Sequence, residues 1–73
     1  MKRQSVKLRI KTNHQNFTKK EKIISDFILE NPKEASKMTI SEMASKLGLA
    51  DSTIFQFTRK LGYKSFREFR NDL

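Results

Sequence analysis

Asp51, Ser52, Phe55, Gln56 and Arg59 recur at intervals of three and four, the spacing that puts side chains on one face of an α-helix. None of these residues has the partners it would need to make or break bonds. They are hydrogen-bonding and planar groups of the kind that fit the edges of nucleotide bases. Glutamine can pair with adenine through two hydrogen bonds, phenylalanine can lie on a thymine methyl, and arginine can reach a guanine or a phosphate. Ser52, Phe55, Gln56 and Arg59 are therefore the candidates for base contacts. Lys60 at the edge of the stripe, Lys64 and the Ser65 amide beyond it, and Thr39 and Ser41 at an earlier helix start, are the candidates for phosphate contacts. Each has a plainer reading. Phe55 also suits a core position, Gln56 and Arg59 suit an ordinary solvated face, and the Thr39 and Ser65 hydroxyls suit helix caps.

Such a face is useful only if the chain holds it out. The stretch from Thr39 to Leu61 predicts two short helices joined by a tight turn: Ile40, Met43, Ala44 and Leu47 recur at helical spacing, Gly48 offers a left-handed stop, and Ile54, Phe57 and Leu61 resume the period. That is the spacing of a helix-turn-helix, with the small Ala44 where the helices cross and Leu49 in the angle between them. Upstream, Thr18-Lys-Lys-Glu21 is a capping box that opens a helix running to about Glu30, with Ile23, Ile24, Phe27 and Ile28 as its inward stripe. Asn31-Pro32 closes that helix and starts a short one over Lys33–Ser36. Thr39-Ile-Ser-Glu42 is a second capping box, with Met38 placed to staple onto Met43. Ser65-Phe-Arg-Glu68 is a third, opening a helix with Phe66, Phe69 and Leu73 on one side. Gly62 ends the helix of the candidate face. The expected fold is all-α, a small bundle of about five helices containing a helix-turn-helix.

Residues 17–73 make up the expected helix-turn-helix DNA-binding domain, and residues 1–16 a basic N-terminal arm or short helix. In the latter, Val6, Leu8 and Ile10 alternate as in a strand, while Val6 and Ile10 are also four apart as on a helix. The pattern breaks off at Leu73 just as the last helix begins, so a natural continuation is expected.

Bulk properties narrow the function. A chain of 73 residues makes one small domain, burying only about 60% of its unfolded surface, too little for a large active-site cavity. It contains no cysteine, so neither disulfides nor a Cys-based zinc site can support it. His14 is the single histidine, without an acidic partner or second ligand nearby, and takes no metal or catalytic role. With no glycine-rich phosphate loop and no buried acid-base pair either, no catalytic residue, cofactor or enzyme activity is expected.

The net charge of +8 is unevenly spread. The first twenty residues hold seven Lys/Arg and no acid, residues 21–45 three bases against five acids, and residues 46–73 six against three. Positive charge at the N-terminus and around the candidate face suits double-stranded DNA better than a lipid surface. No apolar run approaches the roughly 18 residues of a membrane span, and no signal-peptide core follows the basic start, so the expected location is the cytoplasm. Two other classes remain to be weighed: a protein-protein interaction module docking through Phe55, Leu29 and the late phenylalanines, and a single-stranded RNA binder. The latter needs aromatics on a sheet, and no sheet is evident.

From Phe17 onward the sequence resembles the RpiR-type bacterial transcriptional regulators, specifically their helix-turn-helix domain. The resemblance is carried by FTKKEKIISDFILENP, by TISEMASKLGLADSTIFQFTRKLGYKSF, and above all by Arg59 to Lys64 with Phe66 two residues on. It implies operator DNA as the partner and a role in sugar or sugar-phosphate metabolism; a homodimer on a two-fold symmetric site is expected separately, because one such module offers too few base contacts for operator-grade specificity. The resemblance also implies a phosphosugar effector held by a following sugar-isomerase-type domain that this chain lacks. Three positions depart from the family pattern. Ala50 stands where a capping serine is usual, which leaves the cap to Asp51 or loses it. Gln56 stands where arginine is usual, which shifts the expected base preference from guanine to adenine. Ser65 stands where glycine is frequent, which strengthens the following cap.

Overall fold

Four helices of this chain begin where a hydroxyl, that of Ser5, Thr18, Thr39 or Ser65, accepts from a free first-turn amide. The computed structural model describes residues 5–73, so expectations that fall on Lys2 and Arg3 lie outside it. Among the described residues the fold is all-α, with six helices where about five were expected and no strand: α1 Val6–Asn13, α2 Lys19–Glu30, α3 Pro32–Ala35, α4 Ile40–Leu47, α5 Asp51–Lys60 and α6 Phe66–Asn71. A single 3₁₀ turn, His14–Asn16, links α1 to α2.

Both full capping boxes form as the sequence indicates. Thr18 and Thr39 accept from the amides of Glu21 and Glu42, whose carboxylates accept in return from the amides of Thr18 and Thr39. The third is half a box: Ser65 Oγ accepts from the Glu68 amide, but the Glu68 carboxylate reaches the amide of Lys64, one residue earlier. Ser5 caps α1 by accepting from the Leu8 amide. The ambiguous first stretch is thus helical, with Val6 and Ile10 in the core and Leu8 on the outside.

The core is arranged around α5, which packs on α4, α2 and α6. Ile54 and Phe57 have no solvent exposure, and the Phe57 ring lies 5.2 Å from Phe17 and 6.4 Å, edge-on, from Phe69. The inward arc of α2 corrects one expectation. Ile23 is 46% exposed, while Ile24, Phe27 and Ile28 are buried together with Glu21 and Ser25. The arc rotates away from Ile23 because both polar residues find partners inside: Ser25 Oγ donates to the Lys22 carbonyl, and Glu21 meets Lys60. Burial of polar groups is tolerable once each is bonded.

Two glycines end helices in left-handed conformation. At Gly48 (φ 70°) the amides of Gly48 and Leu49 donate to the carbonyls of Ser45 and Ala44; at Gly62 (φ 98°) those of Gly62 and Tyr63 donate to Arg59 and Thr58. Both are Schellman endings. They differ in surroundings. A Cβ at Gly48 would meet open space, whereas one at Gly62 would come within 2.8 Å of Arg9 Nη1. Gly48→Ala should therefore cost only the left-handed penalty, about 1–2 kcal/mol. Gly62→Ala should cost more, because φ 98° lies beyond the left-handed region an L-residue tolerates and the new Cβ would also displace the Arg9 guanidinium that bonds the Leu61 carbonyl. Urea denaturation checks this, and in an Arg9→Ala background the gap between the two substitutions should narrow to the part set by backbone strain.

Candidate nucleic-acid interface

The outer face of α5 is polar and open. Asp51, Ser52, Phe55, Gln56, Arg59 and Lys60 are all exposed, and Phe55 at 40% is outside the core that takes Ile54 and Phe57 on either side of it. The exposure follows from the helical period: with Ile54, Phe57 and Leu61 anchored inward, Ser52, Phe55, Gln56 and Arg59 face away. The left-handed turn at Gly48, with Leu49 tucked partly into the core, sets α5 across α4. The Arg59 guanidinium lies 5.7 Å from the centroid of the Phe55 ring, so arginine and ring form one stacked unit on the surface.

At the front of α5 the side-chain cap is lost. Ala50 has none to offer, and Asp51 does not replace it: its Oδ2 accepts from Ser41 Oγ on α4 at 2.9 Å. The acidic side chain in the first turn still favours the helix through the dipole. Ser41 has a single hydroxyl hydrogen, and it points to Asp51. Thr39 and Ser65, by contrast, use only acceptor lone pairs in their caps, so their hydroxyl hydrogens remain to be donated. Lys64 is exposed beside Ser65.

Lys60 stands apart from the other candidates. Its Nζ donates to Glu21 Oε1 at 2.8 Å and to the Asn16 carbonyl at 3.0 Å. Burial would raise the Glu21 carboxyl, but the Lys60 hydrogen bond, the Thr18 backbone amide and the ammonium charge together outweigh it and hold the carboxyl below its ordinary value. A depressed carboxyl contributes stability that is present above its unfolded-state pKa and lost as pH falls through the folded one. Lys60→Met should therefore lower thermal stability clearly at neutral pH. The deficit should shrink as pH falls through the depressed Glu21 carboxyl, because a protonated Glu21 no longer needs the ammonium. Thermal melts of both proteins at neutral and acid pH check this.

Sequence reasoning missed what steadies the far end of α5. Arg9, from α1, donates through Nη1 to the Leu61 carbonyl at 2.8 Å and lies 4.6 Å from the centroid of the buried Tyr63 ring. A cation at a helix C-terminus is well placed for the dipole. With the Lys60–Asn16 bond, residues before Phe17 hold the end of the exposed helix at two points. No local pattern signals either contact, since each spans more than forty positions.

The helix-turn-helix domain described as that of the rpiR family matches residues 4–73, and so takes in α1 as well as the stretch from Phe17. Among curated relatives, an uncharacterized HTH-type transcriptional regulator of Haemophilus influenzae is 40% identical over 60 residues, covering 82% of this chain and 21% of that protein. One from Thermotoga maritima is 38% identical over 63 residues, 85% of this chain and 22% of that protein. The regulator YfhH of Escherichia coli K12 is 32% identical over 59 residues, covering 81% and 21%. The chain thus spans about a fifth of the length of the curated relatives it matches. With its turn at Gly48 and its open α5 face, the chain belongs to the rpiR family of helix-turn-helix transcriptional regulators.

Proposed function

We propose that this chain binds double-stranded DNA sequence-specifically, as the DNA-reading part of a regulator of sugar or sugar-phosphate metabolism. The supporting observation is the exposed α5 face, on which Ser52, Phe55, Gln56 and Arg59 stand clear of a core anchored by Ile54 and Phe57. In this reading α5 lies in the major groove and those four residues meet base edges. Phosphates on either side are held by Lys64 and by the free hydroxyl hydrogens of Thr39 and Ser65. Ser41 and Lys60 already have partners and would have to exchange them to join in.

One such module offers few base contacts, so the working form is a homodimer on a two-fold symmetric operator. Leu8 on α1 and Ile23 on α2, 48% and 46% exposed, are apolar surface that a dimer would cover. A phosphosugar effector would act through a sugar-isomerase-type domain outside this chain, and the protein would work in the cytoplasm. Among the described residues no helix is long and apolar enough to cross a membrane.

The test is titration of the chain against duplexes from its own promoter region across a salt series. Affinity should fall steeply, with a log-log slope of about 0.9 per neutralised phosphate. Absence of binding at low salt overturns the reading. Salt-independent capture of a protein partner in its place would favour an interaction module.

A further inference from the structure

Asp51 takes no part in the contacts proposed above, yet it sits in the first turn of α5, where a groove-bound helix brings its residues nearest to base edges. We propose that Asp51 is a specificity-determining residue: its carboxylate accepts a hydrogen bond from an exocyclic amino group in the major groove, cytosine N4 above all, and Ser41 is the residue that positions it. This rests on the DNA-binding reading and extends it to a base type.

Three observations carry the assignment. Asp51 is exposed on the same outer face as Ser52 and Phe55, with Phe55 one turn along. It does not serve as the helix cap, so its orientation is not set by the α5 amides. Its Oδ2 is instead fixed by Ser41 Oγ at 2.9 Å, from the other helix of the pair and ten positions earlier. A carboxylate is acceptor-only and has lone pairs on both oxygens, so the bond from Ser41 steadies the group and leaves it able to accept more.

An acceptor-only, negatively charged group is repelled by every phosphate of a duplex. Close to DNA it is stable only beside a donor, and the major-groove donors are cytosine N4 and adenine N6. Cytosine suits it better, because adenine N6 is flanked by the N7 acceptor, which would face the same carboxylate. Guanine O6 and thymine O4 are repelled outright, so the residue discriminates as much by exclusion as by attraction. The role of Ser41 changes accordingly, from phosphate donor to positioning residue.

Selection from a randomised duplex library, run in parallel with the wild-type chain, Asp51→Ala, Asp51→Asn and Ser41→Ala, tests this. Wild-type sites should carry cytosine at one position in each half-site. Asp51→Ala should lose about tenfold to a hundredfold of the discrimination against thymine there and leave other positions unchanged. Asp51→Asn, which adds a donor, should admit guanine or thymine, and Ser41→Ala should keep cytosine with weaker preference. Thermal melts of the same proteins separate the roles, since a purely structural Asp51 would shift stability and leave the selected sequences alone. Identical selected sequences from wild type and both Asp51 variants overturn the assignment while leaving DNA reading intact. A wild-type chain that selects no sequence at low salt overturns the DNA-binding reading itself, and this proposal with it.

Discussion

Phe57→Ala is expected to remove about 3–5 kcal/mol of stability, the usual consequence of truncating a buried phenylalanine to leave a cavity. A chain of this length has roughly 4–11 kcal/mol in total, so the variant should sit near the edge of folding. The ring is wholly buried and touches both Phe17, between the 3₁₀ turn and α2, and Phe69 on α6. Its loss therefore loosens three parts of the bundle together. Phe55, two positions away on the same helix, provides the control: 40% exposed, with Arg59 over its ring, its alanine variant should lose far less. Urea denaturation followed by circular dichroism checks both. Comparable losses for the two would mean that α5 is rotated from the orientation described.

The contrast between these two phenylalanines also shows which parts of the fold were legible in the sequence. Inward positions of α5 were readable because Ile54, Phe57 and Leu61 keep a strict helical period between two glycines. Helix starts at Thr18 and Thr39 were readable because a capping box is a local device, complete within four residues. What failed was decided by distant partners. On α2 hydrophobicity favoured Ile23 over Glu21 and Ser25, but Lys60, nearly forty positions on, supplies the counter-charge that lets Glu21 turn inward. Arg9 looked like one more base in a charged end, and only the folded chain brings it to the Leu61 carbonyl. Likewise Asp51 reads locally as a replacement cap, because its partner Ser41 lies across the turn. Local hydrogen-bond chemistry is written in short words of sequence, while ion pairs between helices are not.

Gln56 and Arg59 together should carry most of the preference for operator over random DNA. Neither is placed in the core, so replacing both by alanine should leave the melting temperature nearly unchanged. Affinity for the preferred duplex should fall by about a hundredfold or more, since a good bidentate base contact is worth roughly 1–3 kcal/mol. Binding to a scrambled duplex at low salt should fall much less, because it depends on phosphate contacts such as that of Lys64. The single variants separate the roles. Gln56→Ala should relax one A·T position and leave the salt slope alone; Arg59→Ala should do the same at a guanine if it reads a base. A uniform loss with the slope reduced by about one would instead place Arg59 on a phosphate. Because the Arg59 guanidinium stacks on Phe55, Arg59→Ala also frees that ring, and its effect should not add simply to that of Phe55→Ala. Gln56→Arg gives the sharpest contrast: the preferred adenine should become guanine at the same position, with the rest of the site unchanged. Failure of that exchange, with DNA binding otherwise intact, would remove Gln56 from the base-reading set and shift the weight of recognition towards the front of α5.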